Sequence, residues 1–250
     1  MFVDTHCHIH EHDYPLEISE TFSRSIEAEV TTLICVGTSL DSSHQAIAFA
    51  DTHDRAFASI GVHPHDTKDG YDIEPFAGQS EKIVAVGEIG LDYFYTNSPK
   101  EVQIDALEAQ IEVALEHDLP IIFHVREAFD DFWPIFDSYE GIRGVLHSFT
   151  DTKENLNEAL KRGLFIGVNG ISTFTKDDAQ KEMFDEIPLE RLLLETDAPF
   201  LTPSPFRGKV NEPAFVKPIA EYHANRRGIS VEEIAKATTA NAHALFADLT

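Results

Sequence analysis

The amino-acid sequence predicts an α/β fold, a single (β/α)8 TIM-type barrel that comprises residues 1–250. Eight short β-rich runs alternate with segments of helical apolar spacing, which indicates parallel strands joined by right-handed crossovers. A length of 250 residues is typical of one such barrel. No G-x-G-x-x-G motif follows any of the runs, so a barrel is favoured over a doubly wound dinucleotide-binding sheet.

The strands and helices are predicted one by one from these runs and from the residues that begin or end helices. Strands are expected at 2–4, 32–36, 56–61, 83–88, 120–124, 144–147, 164–168 and 191–195. Helices are expected to begin at Asp41 or Ser42, at Pro99, at Asp151 or Thr152 with a stop at Gly163, and at Asp177. Two more helices, 211–227 and 231–247, finish the chain.

The amino-acid composition of the chain limits the kinds of protein it can be. The chain has 44 acidic and 19 basic residues and a net charge of −25, which disfavours broad electrostatic capture of nucleic acid or anionic membrane. Its only cysteines, Cys7 and Cys35, lie in apolar runs and are expected to be core residues in a reducing compartment. We find neither a secretory signal nor an apolar stretch near the ~20 residues that span a bilayer. We therefore expect a cytoplasmic protein with no membrane and no obligate protein partner.

Five of the apolar runs lead into a histidine or an acidic residue, at the edge where α/β folds gather their chemistry. Neutral imidazoles and carboxylates that converge there are the ligands of a divalent metal pair. The six candidate ligands are His6, His8, Glu88, His124, His147 and Asp197.

His6 and His8 are two residues apart on a strand, so their side chains are expected to face the same way. We predict that His6, His8 and Asp197 bind one ion, that His124 and His147 bind a second, and that Glu88 bridges both. The ions are Zn²⁺, Mn²⁺ or Mg²⁺, which such ligands all accept. A hydroxide between two such ions is a nucleophile near neutral pH, which predicts a metal-dependent hydrolase of ester bonds.

Each ligand also has a structural alternative. The two histidines of the first strand could be surface residues, and His124 and His147 could be hydrogen-bonded core histidines. Glu88 could cap a helix or pair with an arginine, and Asp197 could be an N-cap. All of these alternatives would have to hold together at one edge, so the metal site is favoured. His10 and His12 continue the alternation and are interpreted as solvated loop residues.

Seven motifs in the chain resemble those of one known family, the TatD family of metal-dependent deoxyribonucleases. They are DTHCHIH at 4–10, GVHPH at 61–65, GEIGLDY at 87–93, HVREA at 124–128, HSFT at 147–150, ETDAPFLTP at 195–203 and RGKVNEP at 207–213. The resemblance implies a TIM-type barrel, a binuclear cation site on the six residues, and hydrolysis of DNA phosphodiesters. It also implies that His63 lies near the substrate phosphate, so the predicted catalytic residues are Glu88, His63 and Asp197.

Substrate contacts are predicted at His63, Arg126, Arg207 and Lys209. His63 follows the third strand and could donate a proton to a phosphate or leaving oxygen, although Pro64 could also make it a rigid turn residue. The other three are the cations best placed to bind a phosphate, although each could instead pair with a nearby carboxylate. His65 is assigned a structural role, and Asp92 either supports a ligand from behind or is structural.

The chain departs from the TatD pattern at a few positions. His10 stands where an acidic residue is usual, and Asp151 stands where glycine is frequent. The segment FYTNSPKEVQ lacks the basic residue that often follows shortly after Tyr93. None of these is a predicted ligand, but contacts with substrate at 94–100 could be altered.

Three functions are compatible with the pattern. The first is cleavage of DNA or another phosphoester, and the second is ester hydrolysis on aminoacyl-tRNA or small esters by the same hydroxide. The third is a non-catalytic metal-binding scaffold, from which at least one lost ligand would be expected. Related amidohydrolases commonly use a carbamylated lysine as the bridging ligand, whereas here the fourth strand offers Glu88.

Overall fold

The computed structural model describes residues 1–246 and 249. The eight predicted strands are all present, and they are neighbours in chain order in one parallel sheet. This strand order, with helices between the strands, confirms the predicted fold class. The strands are β1 Phe2–Cys7, β2 Val30–Val36, β3 Ala56–Ile60, β4 Ile83–Asp92, β5 Ile121–Arg126, β6 Gly144–Leu146, β7 Phe165–Val168 and β8 Leu192–Leu194.

The helices follow the predicted end signals closely. Ser39 caps the first predicted helix instead of Asp41 or Ser42, whereas Pro99, Thr152 and Asp177 stand at the expected N-caps. The α-helices are α1 Ile18–Glu27, α2 Leu40–Thr52, α3 Lys100–Glu116, α4 Phe129–Asp137, α5 Lys153–Lys161, α6 Ile171–Phe174, α7 Asp178–Glu186, α8 Val216–Arg227 and α9 Val231–Leu245. Short 3-10 helices lie at Thr67–Asp69, Glu74–Phe76, Leu189–Arg191 and Pro213–Phe215. The predicted end of the last helix, residue 247, lies outside the described residues.

The chain divides into two compact units, neither of which is continuous in sequence. The first unit contains residues 1–35 and 147–244, and the second contains 36–146 and 245–250. The assignment of 1–250 to one domain stays a prediction. Among the described residues, no helix combines the length and the apolar character needed to cross a membrane.

In the first unit, β1 pairs with β2 and β7 pairs with β8, all in parallel. A bridge from Cys7 to Ala198 joins the end of β1 to the segment that follows β8. Cys7 and Cys35 are register partners on β1 and β2, and both are buried and free, as expected of core residues.

In the second unit, β3 to β6 pair consecutively, and β4 is buried along all ten of its residues. Helix α3 contributes two buried glutamines that hydrogen-bond to backbone at the ends of strands. Gln103 exchanges hydrogen bonds with the N–H and C=O of Asp92, at 2.9 and 3.1 Å. Gln110 does the same with Val62, at 2.7 and 3.3 Å. Because buried backbone groups need partners, these amides fix where β4 ends and where the loop after β3 begins.

Candidate metal centre

The side chains of His6 and His8 meet at their Nε2 atoms, which are 3.1 Å apart. His6 lies inside β1 and is fully buried, while His8 follows the strand and is 4% exposed. This confirms the predicted common orientation. Two ring nitrogens so close cannot both carry a proton towards each other, so at least one offers a lone pair to the space between them.

Asp197 completes this group, which we call the Asp197 cluster (His6, His8 and Asp197). Its Oδ1 lies 3.3 Å from Nε2 of His8 and 3.5 Å from Nε2 of His6. The three atoms therefore form a triangle with edges of 3.1, 3.3 and 3.5 Å. Ligands about 2.0–2.1 Å from a tetrahedral Zn²⁺ stand about 3.4 Å from one another. The donor atoms present thus fit a divalent metal ion.

The backbone places Asp197 beside the two histidines. Its φ is +60°, a left-handed conformation that aspartate tolerates better than most residues. Its N–H donates to the carbonyl of His6 at 2.8 Å, and the N–H of His8 donates to Ala198 at 2.7 Å. Burial opposes ionisation of Asp197, but the hydrogen bond with His8 and the other nearby histidines outweigh it and lower the pKa to about 2. The carboxylate is therefore charged at neutral pH.

His147 lies in the same unit, with its ring stacked on that of His6 at a centroid distance of 4.0 Å. Its Nδ1 is 3.5 Å from Oε1 of Glu195, and the same oxygen accepts a hydrogen bond from the N–H of Ser148 at 2.5 Å. A Cβ at Gly167 would overlap the Glu195 carboxylate, so β7 has glycine where this side chain needs space. Glu195 therefore lies behind His147 at ion-pair distance, a position that carboxylates commonly take beside ligating histidines.

The second unit holds a separate group, the Glu88 cluster (His63, Glu88 and His124). Glu88 lies in the middle of β4 and is 4% exposed, and its Oε1 is 2.8 Å from Nδ1 of His124 on β5. Gly90 of β4 is the register partner of His124, and a Cβ there would overlap the His124 carbonyl oxygen. Glycine at this position lets the two strands approach, which brings the two side chains together.

Asp92 positions His124 from its other side. Its Oδ2 accepts from Nε2 of His124 and from Nε2 of His65, both at 3.0 Å. Burial disfavours the charged form of Asp92, but the hydrogen bond from His124 and those from the Tyr95 backbone and His65 outweigh it and lower the pKa below its ordinary value. A charged Asp92 holds the proton of His124 on Nε2, which leaves Nδ1 as a lone pair directed at Glu88 and available to a metal ion.

His63 differs from the ligands in its tautomer. Its Nδ1 accepts a hydrogen bond from the backbone N–H of His65 at 3.1 Å, so the neutral ring carries its proton on Nε2. That Nε2 lies 3.4 Å from Oε1 of Glu88. His63 therefore presents an N–H to the Glu88 cluster, which suits proton donation rather than metal ligation.

Replacement of Asp92 by asparagine is expected to weaken binding of Mn²⁺ by about 10- to 100-fold, because the amide no longer holds His124 in the ligating tautomer. Titration calorimetry of the metal-free protein measures this effect. Asp105→Asn, at an exposed carboxylate on α3, is the matched control and should bind Mn²⁺ like the parent protein. Parental affinity in the Asp92 variant would show that His124 is oriented without its help.

Arg126, Arg207 and Lys209, the predicted phosphate contacts, are all exposed. Within the described part of the chain, no carboxylate lies within ion-pair distance of any of them, so the alternative of local ion pairs has no support there. Each cation instead lies over an aromatic ring of its own unit, 4.0, 3.9 and 5.4 Å from the centroids of Phe94, Phe174 and Phe206 respectively. Their charges remain available to a ligand, and their contact with phosphate stays a prediction.

The loop that carries Arg207 and Lys209 is anchored near the Asp197 cluster. Asn211 is fully buried, and its amide donates to the carbonyls of Thr196 and Phe200 at 2.8 and 2.5 Å. Removing this amide would leave two buried carbonyls without their donor, so the loop is firmly tied to the segment around Asp197.

Sequence reasoning was wrong about His10 and incomplete elsewhere. His10 was expected in solvent but is 5% exposed, whereas His12 is exposed as expected. The role of Asp92 was left open, and the carboxylate of Glu195 was missed. Asp92 stands four residues after Glu88 on the same face of β4, and this period of two was the available signal. Glu195 directly follows the apolar run of β8, two residues before Asp197.

Buried imidazoles and carboxylates at the carboxyl ends of parallel barrel strands define a class, the metal-dependent hydrolases. Comparison with known proteins identifies the family. Residues 3–247 match the family described as TatD related DNase. The chain belongs to this family and is a metal-dependent hydrolase.

Three relatives illustrate how far the similarity extends. The chain is 39% identical to the uncharacterized metal-dependent hydrolase YabD of Bacillus subtilis, over 98% of this chain and 99% of the relative. It is 37% identical to the 3'-5' ssDNA/RNA exonuclease TatD of Citrobacter rodentium, over 91% and 90% of the two chains. The crystal structure of YjjV, a TatD homolog from Escherichia coli K12, superposes with a TM-score of 0.90 at 29% identity, covering 98% of this chain and 97% of the other.

Proposed function

We propose that this TatD-family hydrolase is a nuclease that cleaves phosphodiester bonds of DNA. The observation that supports this most directly is the tautomer of His63. The ring presents an N–H towards Glu88, where a leaving oxygen would need a proton. A catalyst of phosphodiester hydrolysis needs such a donor because the departing alkoxide of DNA is a strong base.

We further propose that two divalent cations bind the six predicted ligands. His6, His8 and Asp197 hold one ion, His124 and His147 hold the other, and Glu88 is shared. The residues fit because they are imidazoles and carboxylates, a donor set suited to Zn²⁺, Mn²⁺ or Mg²⁺. Four of the six are buried, and His124 and Asp197 are partly exposed. When bound, the ions supply an activated water near neutral pH and neutralise charge on the phosphoryl oxygens.

The residues of the chain have distinct parts in this proposal. Asp92 orients His124, and Glu195 lies behind His147. His63 donates its Nε2 proton to the leaving oxygen and regains a proton from solvent water. A proton on Nε2 suits this step because the ring is neutral and its Nδ1 is already bonded. Three exposed cations that pair with no carboxylate among the described residues bind the flanking phosphates; they are Arg126, Arg207 and Lys209.

Relatives suggest the form of the substrate. The Citrobacter rodentium protein is named as an exonuclease of single-stranded DNA and RNA that works in the 3'-5' direction. We propose the same substrate class here, single strands with a free end. Because the protein carries a net charge of −25, the substrate must be captured by a few local contacts rather than by a broad basic surface.

The test is an activity panel with single-stranded DNA, RNA, aminoacyl-tRNA and small phosphoesters, each with Mg²⁺, Mn²⁺ or Zn²⁺. We expect single-stranded DNA to be cleaved, chelation by EDTA to abolish cleavage, and readdition of one of these ions to restore it. Chelation should also lower Tm, because an ion that binds only the folded state stabilises it by mass action. Turnover of aminoacyl-tRNA alone would favour the esterase, and tight metal binding without any turnover would favour the scaffold.

A further inference from the structure

Two neighbouring aromatic residues lie unusually exposed just after β4. Phe94 is 49% exposed and Tyr95 is 44% exposed, and they account for two of the five large hydrophobic residues exposed in the described chain. Their rings meet edge to face with centroids 4.7 Å apart. Contiguous exposed aromatic surface is uncommon on a protein and commonly marks a binding site.

Arg126 at the end of β5 extends this surface. Its guanidinium lies 4.0 Å from the centroid of Phe94 and 5.0 Å from that of Tyr95. No carboxylate among the described residues neutralises it. We call these three residues the aromatic platform (Phe94, Tyr95 and Arg126). It combines flat π surfaces with one available positive charge.

The platform is joined rigidly to the Glu88 cluster through Asp92. One oxygen of this carboxylate, Oδ1, accepts from the backbone N–H groups of Phe94 and Tyr95, both at 3.0 Å. The other, Oδ2, accepts from His124 and His65. A single buried side chain thus positions the exposed rings and a candidate ligand at the same time.

Ring contacts lead from the platform to the cluster without a break. The Tyr95 ring is 5.2 Å from that of His65, which is 4.3 Å from His63, which in turn is 4.4 Å from His124. A group stacked on the platform therefore lies close to the proposed proton donor.

We propose that the aromatic platform is a subsite that stacks one unpaired base of the nucleic acid beside the scissile phosphate. This inference rests on the proposed nuclease function and gives a physical basis for its preference for single strands. Bases in a duplex are already stacked, so their faces are not available to Phe94 and Tyr95, whereas an unpaired base stacks on aromatic and guanidinium planes. Stacking is also insensitive to the strong negative charge of the protein, which weakens capture through phosphates alone.

The test compares the double variant Phe94→Leu/Tyr95→Leu with the parent protein on short single-stranded DNA. Leucine keeps apolar bulk but removes the flat ring, so KM should rise about 5- to 100-fold while kcat is nearly unchanged. Hydrolysis of bis(p-nitrophenyl) phosphate, which spans no neighbouring base, should be unaffected. The matched control is Phe165→Leu, which removes a ring that Arg191 contacts at 5.0 Å at the amino end of β7. It should leave both KM values unchanged.

A binding measurement separates this inference from the nuclease proposal. Metal-free protein in EDTA is titrated into single strands labelled with 2-aminopurine, whose fluorescence is quenched by stacking. A series of strands is used in which each strand lacks the base at one position. At one position, loss of the base should weaken binding to the parent protein as much as the double variant weakens binding of the intact strand. The double variant should bind that abasic strand no more weakly than it binds the intact strand.

Each result has a definite meaning. Equal loss of affinity for intact and abasic strands would overturn the stacking subsite, as would parental KM in the double variant. Equal loss of activity on the small phosphodiester would also overturn it, because the variant would then have damaged the metal site. Quenching and abasic sensitivity in a protein that cleaves no strand would leave the platform standing and refute the nuclease.

Discussion

Replacement of Glu88 by glutamine is expected to reduce kcat for single-stranded DNA by roughly 10³-fold or more. Glu88 is the proposed shared ligand, and its Oε1 lies 2.8 Å from Nδ1 of His124 and 3.4 Å from Nε2 of His63. Glutamine has almost the same size but carries no charge, so it cannot offset two cations. Cleavage of a fluorescent oligonucleotide with Mn²⁺ measures the effect.

Two controls make this result specific to the charge of Glu88. Glu81→Gln changes an exposed carboxylate of the same unit and should retain parental activity. The metal-free Glu88→Gln protein should melt at the parental Tm or above it, because a neutral amide is easier to bury than a carboxylate. Equal activity in the Glu88 variant and the parent would refute the assignment or expose a contaminating nuclease.

Replacement of His63 by alanine is expected to lower kcat for DNA by about 10²- to 10⁴-fold, the usual contribution of a general acid. Binding of Mn²⁺ should remain parental, because the neutral ring carries its Nε2 proton towards the cluster and holds no ion. The loss should be much smaller for bis(p-nitrophenyl) phosphate, because p-nitrophenolate leaves without being protonated. A comparison of kcat for the two substrates measures the role directly.

The matched variant is His44→Ala, at an exposed histidine on α2 of the same unit. It should match the parent with both substrates. An equal loss on DNA and on the activated ester would mean that His63 positions the substrate rather than donating a proton. Weaker Mn²⁺ binding in the His63 variant would make it a ligand and contradict the tautomer inferred from its bond with His65.

The alternation of strands and helices could be predicted from sequence because it depends on local signals. Apolar runs indicated all eight strands, and the caps at Thr152 and Asp177 appear where expected. The length of β4 was underestimated by four residues, because Gly90 and the polar Asp92 obscure a strand that is buried throughout. Helix α4 was not predicted because it is short and contains Pro134.

Side-chain contacts between strands were harder to predict from the sequence. Alternation along one strand placed His6 and His8 on one face, but only the fold reveals that Asp92 supports His124 and that Glu195 supports His147. The burial of His10 in its loop likewise depends on residues that are distant in sequence. The exposed platform escaped sequence reasoning for the opposite reason, since an aromatic pair after a strand is usually a part of the core.

The proposed nuclease activity depends on two divalent cations held by the six ligands. Anomalous diffraction from crystals soaked in Mn²⁺ tests this most directly. We predict two peaks about 3.5–4 Å apart. One should lie against His6, His8 and Asp197, the other against His124 and His147, with Glu88 bound to both. A single ion that does not contact Glu88, or two ions bound to other side chains, would contradict the account.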